Sequence, residues 1–391
     1  MRHLKKVILI FIFFKLTIAL VTLLIENSPF QLFQFEQIAT DDIELNDIYY
    51  STREFKGIDF NSKDVVLVNT GSLENGIYFR KNLADIIEII ASKKPNIIGL
   101  DIFFSENKNP IYDSVLKNTI IQNDIVTALD ANNIDGNIFL SDKKGIINFP
   151  EHSNKTIRDY YNFKIVNNDT ISSFAAVLAK TKSKDSVNYL KYSSDRIGYY
   201  NILNENQQIS PLNFPAIEAS DIFKIVFEER LNEILKNKVV IIGHLGNGFM
   251  HNPYDIEDKF RVPMDKSLFN RDLTTPGAII HANAVQMMLN NDRIISVEGW
   301  SYEIISSIIL LIYLNIFLYI NDKFSLSKLI SLFIIMITSL PLIYLACIYL
   351  MDIGIYFKVG VLFGLVIILE EFIEVYDWSI EKFTTKNKKN A

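Results

Sequence analysis

Cysteine is almost absent: Cys347 alone rules out an internal disulfide. Proline and glycine are few, 10 and 15 in 391 residues, and hydrophobic residues reach 49%, so the chain is not disordered as a whole. No basic tract is long enough to mark a nucleic-acid protein, and the net charge is −6. Neither a G-x-S-x-G elbow nor an H-E-x-x-H pair occurs, and nothing else supports catalysis. No cofactor is expected, and the chain is expected not to be an enzyme.

What the chain has in excess is apolar sequence, with a mean hydropathy of +0.18. That excess is concentrated. Residues 7–25 are apolar except for Lys15, Thr17 and Thr22, and further apolar blocks cover approximately 302–320, 329–350 and 355–375. Each is close to the ~20 residues that cross a bilayer as a helix, so four spans are expected. Arg2, Lys5 and Lys6 precede the first block, Lys323 and Lys328 lie between the second and third, and Lys382, Lys386, Lys388 and Lys389 follow the fourth. Cationic flanks stay on the cytoplasmic side, which, with Lys358 just inside the fourth block as the exception, places both termini inside and the long middle region outside. Between residues 26 and 300 there are 28 basic and 37 acidic side chains, a balance that fits the same topology. A cleaved signal peptide is the competing reading of the first block, but no small-x-small site follows Ile25, and an uncleaved anchor is preferred.

The expected domains are therefore an N-terminal anchor (1–25), an extracytoplasmic domain (26–300), three membrane helices (301–376) and a cytoplasmic tail (377–391). Within the middle region, KDVVLVN (63–69), NIIGLDIFF (96–104) and VVIIG (239–243) read as buried strands. Helical patterns at 80–94, 112–123, 219–235 and 278–289 alternate with them. Near-continuous Val/Ile strands separated by helices predict an α/β domain with a mostly parallel sheet. The stretch 139–209 carries no clear pattern apart from a helix-like 172–180.

Strand ends and helix starts supply the candidate site residues Ser72, Arg80, Asp101, His244 and His281, because ligands of open parallel sheets sit beyond the carboxyl ends of strands. An ion pair between Arg80 and Asp101 is equally open, since a buried carboxylate needs a partner. Gly243 to Gly248 (GHLGNG) reads as a tight turn, lacking the Lys-Ser/Thr of a nucleotide loop. His244, His251, Asp255, Asp258 and His281 match no metal-ligand spacing, so no metal is expected.

Read in order, these segments resemble a known family. A strand, an Arg80-led helix, IIGLDIFF, KVVIIG, a D-x-F-x-x-P turn (Asp258, Phe260, Pro263) and TPGAIIHANAVQMML with Pro276, Gly277, His281, Ala282 and Ala284 are similar to the CHASE2 extracytoplasmic sensory domain. The chain departs from the family pattern at Asn69-Thr70-Gly71-Ser72, where an acidic start is usual, and at Ile77-Tyr78-Phe79. The resemblance implies one N-terminal span, a sensor and three C-terminal spans in a bacterial-type inner membrane. The sensor would bind a small molecule or a protein. With little sequence after the fourth block, output through a separate partner or a homo-oligomer is expected. The alternative is a structural or assembly component of an envelope complex. A 4-3-4-3 spacing of Leu369, Ile373, Tyr376, Ile380 and Phe383 suggests a short seam for docking a partner helix.

Overall fold

The computed structural model describes residues 2–26, 49–50, 64–73, 76, 78–150, 156–182, 194–198, 214–224, 228–246, 259–263, 275–324, 337, 339 and 341–389. The chain forms two compact units, residues 50–295 and residues 1–49 with 296–391.

The 50–295 unit is built on runs of β-branched and leucine residues that bury both faces. Val65–Asn69 (β1), Ile97–Asp101 (β2), Val126–Leu129 (β3), Lys144–Ile146 (β4), Ala216–Glu218 (β5) and Val239–Gly243 (β6) form one six-stranded sheet in the order β4-β3-β2-β6-β1-β5. Every neighbouring pair is parallel. The central strand β6 aligns Gly243 with Asn69 on one side and with Asp101 on the other.

On one face, Val66, Val68, Ile98, Leu100, Val240 and Ile242 pack with Leu83, Ile86, Ile87 and Ile90 of helix Phe79–Ser92 (α1) and Leu116 and Ile120 of helix Pro110–Gln122 (α2). Asn109 begins α2, its Oδ1 accepting from the N–H groups of Ile111 and Tyr112, with Pro110 in the first turn. The other face carries helices Phe174–Lys182 (α3) and Gly277–Asn290 (α4). Gly99 admits the Phe174 ring there, since a Cβ would lie 2.7 Å from Phe174 Cζ. Helix α4, read from the sequence as 278–289, is buried on every side from Gly277 to Met288. Its polar residues are satisfied internally: Asn283 donates to Ile279 O, and Gln286 accepts from the Asp64 N–H at 2.8 Å and donates to Asn290. The helix expected over 219–235 is divided, with Ala219–Ile222 and Glu228–Leu235 helical and the exposed Phe223 and Lys224 between outside either helix.

The second unit contains helices Arg2–Glu26, Gly299–Phe324 and Val359–Lys389, and a short apolar helix Pro341–Asp352 with a π-helical turn at Leu345–Tyr349. Its core joins Val7, Ile10 and Phe14 with Leu310, Leu314 and Leu318, and with Leu362, Val366, Leu369 and Ile373. Lys15, awkward in mid-helix, meets Glu303 at 3.0 Å. The seam read from the sequence at Leu369 and Ile373 is thereby corrected: both are 3% exposed inside this bundle, and Tyr376 packs against the same core. These positions serve the chain's own packing rather than an outside helix. The side chains of Ile380 and Phe383 lie outside the described residues.

Candidate functional site

The carboxyl ends of β1, β2, β5 and β6 converge, and the residue at the end of β1 ties three of them together. Asn69 is fully buried and makes four side-chain hydrogen bonds. Its Nδ2 donates to Glu218 Oε1 and to Gly246 O, both at 2.9 Å, and its Oδ1 accepts from Gly71 N–H at 2.9 Å and Leu245 N–H at 2.8 Å. That is the full capacity of an amide side chain. An acid in its place would have no protons for Glu218 and Gly246, so Asn69 suits a neutral clamp. Thr70 adds a hydrogen bond from its hydroxyl to Gly243 O at 3.2 Å.

Beside this clamp, Asp101 and His281 meet on the α4 face. His281 Nε2 lies 3.9 Å from Asp101 Oδ1, and Nδ1 is hydrogen-bonded to Tyr160 Oη at 2.7 Å. Phe149 stacks on the imidazole with centroids 4.8 Å apart, and Phe174 meets it edge-on. The Tyr160 hydroxyl also accepts the Ala175 N–H, from the first turn of α3. Burial pushes the His281 imidazole down to about 3, and pushes the Tyr160 phenol up. Both are therefore neutral at physiological pH. His244, partly buried after β6, is also lowered by burial, against a smaller upward pull from Glu218.

Arg80 lies elsewhere. It pairs with Asp113 of α2 and donates to Glu106 O, with its guanidinium over the rings of Phe104 (5.5 Å) and Phe139 (5.1 Å). Asp113 in turn accepts from the Lys108 and Asn109 N–H groups. The expected pairing of Arg80 with Asp101 is corrected on this geometry, and so is a crevice shared by Arg80 and His281. Arg80 packs in the α1/α2 layer, whereas Asp101 and His281 face the α3/α4 layer, because side chains alternate across a strand. The Ser72 side chain, His251, Asp255 and Asp258 lie outside the described residues. The sequence reading missed Asn69 as a clamp, Asp113 as the partner of Arg80, and Phe149 and Tyr160, which come from a stretch without periodicity.

A wholly parallel sheet covered on both faces, with polar groups gathered at its carboxyl edge, defines an α/β domain of the doubly wound type. Residues 16–317 match the family model of the CHASE2 domain. The chain belongs to the CHASE2 domain family, a class of extracytoplasmic sensory domains. No curated protein and no solved structure matches it.

Proposed function

We propose that the protein is a membrane-anchored extracytoplasmic sensor, in which the α/β domain binds a small molecule or protein and the helices pass its state to a separate partner. The observation that carries the sensory reading is the CHASE2 match across most of the chain. No catalytic role is assigned to Asp101, His281 or Tyr160: the imidazole is enclosed by aromatic rings and held neutral, the environment of a packing residue.

Anchoring is supported by where the apolar side chains point. Gly299–Tyr319 is 21 residues long with hydropathy 1.8, and only 22% of its most apolar stretch is buried. Ile304, Ile308, Ile312 and Ile316 form an exposed stripe at four-residue spacing, while Leu310, Leu314 and Leu318 face the bundle core. Ile8, Leu9, Ile12, Phe13 and Leu16 expose a similar surface on the first helix. Such contiguous apolar faces are costly in water and suited to hydrocarbon. In this reading the apolar blocks make four spans, both termini are cytoplasmic, and the pairing of Lys15 with Glu303 lowers the cost of a charge at membrane depth. Trp378, with Lys382 stacked over its ring at 4.2 Å, would lie at the inner interface.

A reporter fused after Ala391 tests this arrangement. Alkaline phosphatase, active only outside the cytoplasm, will be inactive there, and a fluorescent protein that matures in the cytoplasm will be bright. The opposite pattern would remove the four-span arrangement and the inward route for the signal.

A further inference from the structure

The outer edge of the sheet holds a cleft of about 180 Å³, lined by Ala216, Ile217, Glu218, Asp221, Arg230, Leu231 and Ile234. It is small beside the ~300–1,000 Å³ of sites for drug-sized ligands, so only a small metabolite suits it. Its charged residues are not matched to one another. Asp221 is paired with Lys224 at 2.6 Å. Glu218 uses Oε1 to accept from Asn69, but its Oε2 is sealed from solvent without a hydrogen-bond partner. A buried carboxylate oxygen without a donor is costly, and native structures seldom keep one without a purpose. Arg230 is exposed at the same cleft and, among the described residues, has no hydrogen bond or ion pair. An acid and a base thus line one small cavity without bonding each other, and the walls beside them are Ile217, Leu231 and Ile234.

We infer that this cleft binds a small zwitterion of the α-amino acid class with an aliphatic side chain. The ammonium group would donate to Glu218, the carboxylate would accept from Arg230, and the aliphatic part would lie on Ile217, Leu231 and Ile234. Turning the Glu218 carboxylate about its terminal torsion, which is soft, would bring Oε2 toward the cleft and move Oε1 against Asn69 Nδ2 with it. Both contacts are charge-assisted. Because Asn69 also holds Leu245 and Gly246, occupancy of the cleft is linked to the turn after β6. The inference names a ligand for the sensory reading and rests on it.

Calorimetric titration of the purified full chain in detergent tests it with three probes. L-leucine carries both charges, 3-methylbutylamine lacks the carboxylate, and 4-methylpentanoate lacks the ammonium. Leucine is expected to bind, with the other two at least tenfold weaker. Glu218→Gln, which preserves the acceptor for Asn69, is expected to weaken leucine about tenfold or more. Arg230→Gln, at an exposed helix position that leaves folding intact, is expected to do the same. Absence of leucine binding would overturn the proposal, as would either single-charge probe binding as tightly as leucine or variants that bind like the wild type. Binding is read in vitro, so such a failure removes this ligand and leaves the sensor reading to its own topology test.

Discussion

Asp113→Ala will destabilise the α/β domain by about 3–5 kcal/mol, because it leaves the Arg80 guanidinium charged and buried without its carboxylate. The two side chains are only 5% and 8% exposed, so water cannot take the place of the lost partner. The rings of Phe104 and Phe139 above the guanidinium add cation–π attraction but no acceptor for its N–H groups. Loss of Asp113 also frees the N–H groups of Lys108 and Asn109 at the start of α2. In thermal unfolding of the full chain in detergent, a fall of roughly 10 °C is expected for the domain transition. The double replacement Arg80→Met with Asp113→Leu should recover most of that loss, since apolar residues of similar volume remove both buried charges together. A fall of only a degree or two in the single variant would show the guanidinium to be hydrated and the pair to act like one at the surface.

Acidification should weaken the same domain through His281. Its folded value of about 3 lies below the ordinary ~6.5, so between those two pH values the unfolded chain binds a proton that the folded one refuses. Stability therefore rises with pH across that window and is lost as pH falls below 6.5. The slope from this residue approaches ~1.4 kcal/mol per pH unit. Partly buried His244 is shifted in the same direction and adds to it. Melting temperatures recorded from pH 7.5 to 4.5 will decline for the wild type. His281→Gln will be less stable at neutral pH, through loss of the aromatic stack and the Tyr160 bond, but its decline with acid will be shallower. Equal slopes in the two proteins would mean that the imidazole is open to protonation in the folded state.

The parts of the fold that were legible before the structure are those in which one physical signal dominates. VVLVN, IIGLD and VVIIG are long enough runs of buried, mostly aliphatic residues to read as strands of a parallel sheet, and all three lie near its middle. The helix read over 112–123 is also there, and the structure starts it two residues earlier, at Pro110 behind the Asn109 cap. Residues 139–209 resisted because the strands among their described residues are three or four residues long and partly exposed, so neither alternation nor a continuous run develops. One signal there was readable: Asn167 and Asn168, with φ of 51° and 69°, form a two-residue hairpin turn between Phe163–Val166 and Asp169–Ser172. Such turns need positive φ at both central positions, which asparagine tolerates. The buried surround of α4 was concealed for a different reason. Asn283 and Gln286, three residues apart, look like a polar face, but Asn283 bonds Ile279 O of its own helix and Gln286 is met by the Asp64 N–H, so both are satisfied inside the protein.

The candidate site shows the same division. Asp101 and His281 were singled out by their places at a strand end and a helix start, and the structure brings them to 3.9 Å. Arg80 and Asp101 were equally plausible partners on paper, because a strand's residues alternate faces and no spacing shows which face a neighbouring helix will cover. Asp113, one turn into α2, decides the matter by approaching Arg80 from the helix that packs beside α1. Asn69 was noted only as a departure from an acidic pattern; three of its four hydrogen bonds reach β5 and the turn after β6, far along the chain.

The proposed sensor requires the α/β domain to lie outside the membrane. Asn168, exposed at the hairpin turn, gives a handle on that question once Cys347, buried in the helical bundle, is replaced by serine. Asn168→Cys in this background is to be treated with a membrane-impermeant maleimide, in intact cells and again after the cytoplasmic membrane has been permeabilised. Labelling already complete in intact cells is the predicted result, and labelling that appears only after permeabilisation would contradict an extracytoplasmic sensor.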